Sequence, residues 1–380
     1  MLSVSFKAER INKNMLRAGI VGLPNIGKTT LFNAVTAQTS GVTANYAFST
    51  SKPNVGVVTV PDERLAPLAE IVKTKVIVPA SVEFVDIAGL VRGSSKGEGM
   101  GNQFLAAIRE TDTMIQVVRC FEDENITHVD GPIDARRDIE TIQIELALAD
   151  LATVQRRRER VQKGAKGGEK VAKAELDVLD KLQPALEEFQ PAKSVSLTED
   201  ELVIARNYFL LTMKPTIYAA NVNEATLGAP DADENLQAIR EVAASENSEC
   251  IVICAQLEAD MVGMAAEEQR EYLESLGVKS SGVDQLIKSA YRMLGLMSFL
   301  TAGEKEVRAW TIPQGSRAQD AAGAIHSDIA RGFIRAEIVS YDDLIGARTY
   351  AVAREKGLLR LEGKDYIMQE GDIVNFRFNV

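Results

Sequence analysis

The chain holds three cysteines, two histidines and one tryptophan among 380 residues. Three cysteines cannot make a disulfide framework, and a reducing compartment fits. With only His128 and His326 and no Ser or Cys triad around them, covalent or histidine-based catalysis has almost no support. No stretch approaches 18 uninterrupted apolar residues, so no membrane span and no membrane partner are expected. Residues 1–16 lack the apolar block of a secretory signal and read as a loose N-terminal extension, with a short organelle-targeting piece as the alternative. A formal charge of −11 excludes indiscriminate coating of nucleic acid. The length calls for two or three domains.

What is present is more specific. Gly22-Leu23-Pro24-Asn25-Ile26-Gly27-Lys28-Thr29-Thr30 matches G-x-x-x-x-G-K-[ST]. It lies between an apolar, strand-competent run (Arg17 to Val21) and an opening helix (Leu31 to Thr36). A strand, a glycine loop and a helix N-terminus aim backbone N–H groups and the positive end of a helix dipole at an anion. Lys28 is placed to reach the β- and γ-phosphates of a nucleotide, and the Thr29 hydroxyl to bind Mg²⁺. The competing reading is a plain glycine-rich strand-to-helix turn.

Farther on, the strand Ser81 to Val85 runs into Asp86-Ile87-Ala88-Gly89. A carboxylate at a strand end, paired with such a loop, is the expected water-mediated Mg²⁺ ligand, and Gly89 brings an N–H toward a γ-phosphate. Catalysis is thus assigned to Lys28 and Gly89, with no general base visible. In Ras-like GTPases a Gln after the glycine orients the attacking water. Here it is Leu90, so slow turnover is expected. Between the two motifs, Thr39 to Pro53 has little periodicity and offers Thr43 and Thr50 as a second hydroxyl for the metal. Gly93 to Gly101 carries four glycines, which suits a switch segment.

From Asp134 to about Lys163 apolar residues recur at helical spacing (Ile139, Ile142, Leu146, Ala149), and again to about Phe189 (Leu179, Leu182, Leu186, Phe189). Gly164 to Gly168 separates the two, predicting an antiparallel helical hairpin with a glycine-rich tip. Between Gln155 and Lys173 eight basic residues face two acidic ones. An acidic body with one basic projection points to a localised polyanion contact through Arg156, Arg157, Arg158 and Arg160. The strands Lys214 to Ala220 and Glu249 to Cys254 then resume the α/β pattern, so the hairpin interrupts one domain. After residue 296 come a strand at Trp310 to Ile312, a helix from Arg317 to Ala330 and three more strands, a small α+β module with Trp310 and His326 in its core.

The base-reading loop departs from that of GTPases. Where N-K-x-D would grip guanine, this chain has Asn221-Val222-Asn223-Glu224. Val222 cannot supply the lysine stem, and Glu224 is one methylene too long. A pocket of the Asn221 side chain and the backbone around Val222 is expected to read adenine N6 and N1, rejecting the wrong base through unmet polar groups.

Together with Val117-Val118-Arg119-Cys120-Phe121, Lys305 to Thr311, Gly332 to Glu337 and Asn375 to Phe378, these motifs resemble the YchF / Obg-like ATPase family over nearly all of Arg17 to Val380. The resemblance implies an α/β P-loop NTPase domain of the Obg type (17–132 and 206–295), an inserted helical hairpin (133–205) and a C-terminal β-grasp, or TGS, domain (296–380). It implies a cytoplasmic, Mg²⁺-dependent ATPase that acts as a switch on the ribosome (large subunit or 70S), with no metal beyond Mg²⁺. ATP and ADP would be bound by Asn25, Ile26, Gly27, Lys28, Thr29 and Thr30, the metal by Thr29, Thr50 and, through water, Asp86. The adenine loop maps onto Asn221, Val222 and Glu224, and the ribosome would meet the arginines of the hairpin and the TGS domain. Ala47 and Lys52 depart from the family's usual switch, and Gln116 stands where many members carry His. The rival readings are an Obg-like GTPase and a non-enzymatic ribosome-docking protein with nucleotide as a structural ligand.

Overall fold

In the computed structural model the described residues are 16–37, 54–90, 93 and 100–379. By contacts the chain forms two compact units, one holding Arg17–Gly56 with Phe84–Leu286, the other Val57–Glu83 with Ile287–Val380. The strands are β1 (Arg17–Val21), β2 (Val55–Thr59), β3 (Ile77–Val78), β4 (Ser81–Asp86), β5 (Thr113–Arg119), β6 (Thr216–Asn221) and β7 (Glu249–Ile253). Those after residue 295 are β8 (Leu296–Ala302), β9 (Val307–Pro313), β10 (Phe333–Val339), β11 (Arg360–Glu362) and β12 (Ile373–Phe378).

The first sheet has the order β2-β4-β1-β5-β6-β7. Every residue of β5 and β6 is buried, the near-continuous burial that parallel strands covered on both faces require. The pairs β1–β5, β5–β6 and β6–β7 are all parallel. Their register sets Arg119 beside Asn221 and Asn221 beside Ile253, so the carboxyl ends of the strands line up along one edge. Open α/β sheets bind ligands at that edge.

The helix that follows β1, α1 (Lys28–Ala37), begins at this edge. Between β5 and β6 the chain leaves as α2 (Ala135–Lys166), returns as α3 (Lys170–Glu187) and closes with α4 (Glu199–Arg206). Asp134 starts α2 by accepting from the Arg137 N–H. Thirty-two residues make α2 about 48 Å long. Val154, Val178, Leu179, Leu182 and Leu186 are buried between the helices. The turn is shorter than expected: α2 continues through Gly164, and Gly167-Gly168-Glu169 alone reverse the chain, Gly168 at φ +86°. Gly164 is part of α2, and a Cβ there would lie 2.9 Å from Glu169 Oε2 and 3.2 Å from Ala172 Cβ, so its lack of a side chain lets the start of α3 close in. At the root, the buried Asp150 carboxylate accepts from Leu211 N (2.8 Å), Thr212 N (2.8 Å) and Thr212 Oγ1 (2.7 Å), pinning the chain before it enters β6.

The second sheet has the order β11-β10-β12-β8-β9-β3. Its centre is a parallel pair, β12 on β8, flanked by the antiparallel pairs β10–β12 and β8–β9. Phe299, Ile312, Ala322, Ile338 and Phe376 form its core. This is a β-grasp arrangement, with the short strand β3 added along β9. Two expectations need correction here. The helix from Arg317 to Ala330 is broken into Ala318–Ile325 and Ser327–Arg331. The break falls at His326, which is exposed rather than core, because its Nδ1 accepts from Asp328 N and caps the second piece. Trp310 is half-buried, stacked near Phe299 with Arg308 over its ring.

Asp150 offers a test of the arm's root. Asp150→Ala leaves two backbone N–H groups without partners in a buried place, which is expected to cost on the order of 3 kcal/mol. Urea unfolding would show it as a lower midpoint at unchanged slope. A loss below about 1 kcal/mol would mean that the carboxylate holds nothing.

Candidate functional site

The loop after β1 is shaped by contacts from three directions. Asn25 adopts φ +60°, unusual for a residue with a side chain, and its Nδ2 donates to Thr127 O at 3.2 Å. Ile26 turns its side chain into the core and offers its carbonyl to Asn221 Nδ2 at 2.9 Å. Gly27 takes φ +90°, and a Cβ there would run into the Asn221 amide. Helix α1 starts at Lys28, so the first-turn N–H groups, those of Thr29 and Thr30 among them, have no partner within the helix and face the strand edge.

Lys28 is 8% exposed, and in this geometry its ammonium donates to Leu23 O. Burial pulls its pKa down to about 8, with Asp86 opposing the shift. Asp86, at the end of β4, is moved the other way: burial raises it, while Lys28 and the Thr29 hydroxyl hold it down. Thr29 Oγ1 donates to Asp86 Oδ2 at 3.4 Å, so the hydroxyl and carboxylate picked from separate motifs meet. Gly89 lies against this cluster. A Cβ on it would sit 3.2 Å from both Lys28 Nζ and Pro24 N. Leu90 is fully buried, its N–H on Gly22 O at 3.0 Å, so the residue after Gly89 is apolar and shut off from solvent. Among the described residues no three His, Cys, Asp or Glu cluster, so a cation at Thr29 and Asp86 would complete its shell with phosphate and water, as Mg²⁺ does. Thr43, Thr50 and most of the glycine-rich run lie outside the described residues.

The Asn221 side chain, expected to read adenine, also ties two loops of the protein together. Nδ2 donates one N–H to Ile26 O, and Oδ1 accepts from Ala255 N at 3.0 Å, which leaves a second N–H and a second lone pair on the amide. The Val222 N–H is likewise committed to Ile253 O at 2.8 Å, and its side chain is in the core. Glu224 is exposed and opens the short helix Glu224–Gly228, which Asn223 caps. A residue that motif reading quoted without a role proves central. Arg119, 1% exposed at the end of β5, donates to Phe121 O (2.9 Å), Ile126 O (3.0 Å) and Asn25 O (3.4 Å) and stacks on Phe121. Its partners among the described residues are carbonyls, so a cation is buried beside the loop. The one charged residue of β5, placed at its very end, is the available signal.

A hydroxyl following a loop lysine, in contact with an aspartate that ends a neighbouring strand, is the working geometry of P-loop NTPases, and the chain is of that class. Comparison with known proteins narrows this. Residues 17–149 match a family described as 50S ribosome-binding GTPase, and 296–379 match the YchF-GTPase C-terminal family, described as a protein of unknown function. "Ribosome-binding ATPase YchF" of Bacillus subtilis (strain 168) is 53% identical over 96% of this chain and 100% of its own length. The protein of that name in Escherichia coli O157:H7 is 51% identical over 96% and 99%. The solved Schizosaccharomyces pombe YchF GTPase superposes with a TM-score of 0.86 at 36% identity, covering 96% of this chain and 98% of that one. The chain belongs to the YchF family.

Lys28 makes the site's electrostatics measurable. Its folded pKa lies below the unfolded value, so between the two the unfolded chain binds more protons. Stability of the nucleotide-free protein is therefore expected to rise as pH climbs from about 8 toward about 10.4, by up to roughly 3 kcal/mol. The rise should be missing in Lys28→Met. Urea titrations of both proteins at the two ends of this range decide it, and equal slopes would remove the claim of a strained lysine.

Proposed function

We propose that the chain is a Mg²⁺-dependent ATPase that works as a slow switch on the ribosome. The observation that carries this is the meeting of Lys28, Thr29 and Asp86 at the first turn of α1, with Gly89 packed on the lysine. In this reading Asn25 to Thr30 cradle the phosphates with backbone N–H groups, and Lys28 leaves the Leu23 carbonyl for the β- and γ-phosphates. Thr29 holds Mg²⁺ directly and Asp86 through water, with Thr50 as the second hydroxyl. The metal supplies charge neutralisation on the phosphate oxygens. Lys28 and the Gly89 N–H stabilise charge that develops on the γ-phosphoryl group. With the apolar Leu90 buried, the residue after Gly89 offers no polar group to orient water, which fits slow turnover.

Preference for ATP is supported by the name of the Bacillus and Escherichia relatives and by a base loop without the guanine fork. The base would be read by the remaining N–H and lone pair of the Asn221 amide and by the backbone around Val222, with Glu224 at the rim. The name of the S. pombe structure favours GTP as the second reading. We also infer the partition proposed from sequence: a nucleotide-binding domain (17–132, 206–295), a hairpin (133–205) and a TGS domain (296–380), the latter two meeting ribosomal RNA and protein in the cytoplasm. No helix among the described residues is long and apolar enough to cross a membrane.

Calorimetry with ADP and GDP separates the two nucleotides. ADP is expected to bind at least tenfold more tightly, with no detectable binding by Lys28→Ala; tight GDP and weak ADP would give the GTPase reading. Phosphate release should be slow alone and measurable with ribosomes present, and its absence under both conditions would leave a docking protein. Co-sedimentation with ribosomes should weaken, and depend less on salt, when Arg156, Arg157, Arg158 and Arg160 are all neutralised.

A further inference from the structure

The four arginines of α2 are not equivalent. Arg157 is paired with Glu175 and Arg158 with Asp180, the latter at 2.7 Å, and both bonds tie α2 to α3. Arg156 and Arg160 make no ion pair or hydrogen bond among the described residues, and both are exposed. One helical turn apart, they stand on the same face. They line a cavity of about 260 Å³ together with Thr153, Arg157, Asn207 and Tyr208. At about 30 Å³ per water, it has room for several.

The walls have a defined chemistry. Glu175 is answered by Arg157, so the cavity's net charge is the two free guanidinium groups. Tyr208 is 9% exposed, and its hydroxyl, buried beside Glu175, makes no well-formed hydrogen bond. The next residue, Phe209, is 60% exposed and held at φ +51°, a backbone conformation seldom adopted by a bulky residue. Two free forks, and an exposed ring one residue beyond the lining, suit a single-stranded nucleic acid, which brings phosphate oxygens for the forks and a base face for the ring. An acidic peptide would use the first and ignore the second.

We propose that this cavity seats one backbone phosphate of single-stranded RNA. Arg156 and Arg160 fork its oxygens, the Tyr208 hydroxyl donates to it, and an adjoining base stacks on Phe209. Arg157 and Arg158 hold the arm closed. The choice of RNA over other polyanions rests on the ribosome reading above, while the cavity itself does not.

Charge-matched single variants test it. Binding of a labelled 12-nucleotide uridine RNA to the full chain is followed by fluorescence anisotropy over a range of salt. Arg156→Gln and Arg160→Gln are each expected to weaken binding at least fivefold and to lower the salt slope by about 0.7, the value of one lost phosphate contact on a single strand. Arg158→Gln removes the same charge and should stay within twofold. Phe209→Ala should weaken RNA several-fold and leave poly-glutamate binding unchanged. Equal losses in Arg156→Gln and Arg158→Gln would show that only net charge matters, and the proposal falls. Poly-glutamate binding as tight as RNA, lost in the same variants, would assign the cavity to an acidic protein instead. The same variants are sedimented with ribosomes. A wild-type chain that binds RNA in this pattern but not ribosomes keeps the cavity and removes the ribosome reading. Ribosome and RNA binding that both survive in Arg156→Gln and Arg160→Gln do the opposite.

Discussion

The Asn221 amide is the bond on which the site's geometry depends. It joins Ile26 O on one side to Ala255 N on the other, 195 and 34 residues away in sequence. The sheet makes this possible by setting β6 between β5 and β7 in a register that brings Asn221 to the edge beside Arg119 and Ile253. Gly27 completes the arrangement by having no side chain where the amide passes. A buried amide whose donor and acceptor are both used is costly to replace, since any substitute leaves two backbone groups unmet. The residue that motif reading assigns to the base thus acts as the clamp that gives the phosphate loop its shape.

Charge around the loop follows from the same crowding. Lys28 and Asp86 sit where water is scarce, so burial shifts each toward its neutral form, and each partly restores the other. Arg119, buried beside the loop, is kept from water as well. Three carbonyls and the Phe121 face solvate it instead. A cation held by dipoles alone keeps its field, and that field reaches the mouth of a loop built to receive phosphate. The resting site is therefore electrostatically unfinished, which is the condition for binding an anion strongly.

Much of this was legible because it is local. The P-loop letters specify a strand, a turn and a helix start within a dozen residues. The 3, 4, 3 spacing of Ile139, Ile142, Leu146 and Ala149 specifies one face of α2 wherever that helix goes. What could not be read depends on partners distant in sequence. Nothing near Asn221 says that its amide faces Ile26, and nothing near Arg119 says that its carbonyls come from Asn25 and Ile126. Gly164 shows the limit from the other side. Three glycines in five residues read as a broken helix, yet the approach of Ala172 rewards a glycine that stays helical. At His326 the error was to weigh an aromatic ring as core when its nitrogen was needed as a helix cap.

Helix α2 is where these parts are physically joined. Near its root Glu145, buried, accepts from the Gly93 N–H at 2.6 Å, four residues beyond Gly89 in the chain. Arg160 lies fifteen residues farther along, about 22 Å at the rise of an α-helix. Both ends belong to one continuous element whose middle is clamped by Asp150 and packed against α3. A clamped helix of this length moves as a body more readily than it bends, so a shift at Gly93 is met at Glu145 by the same rigid piece that presents Arg156 and Arg160. Among the described residues the arm thus touches the chain at Gly93, and the two pairs that close the arm, Arg157 with Glu175 and Arg158 with Asp180, bind α2 to α3 beyond that contact.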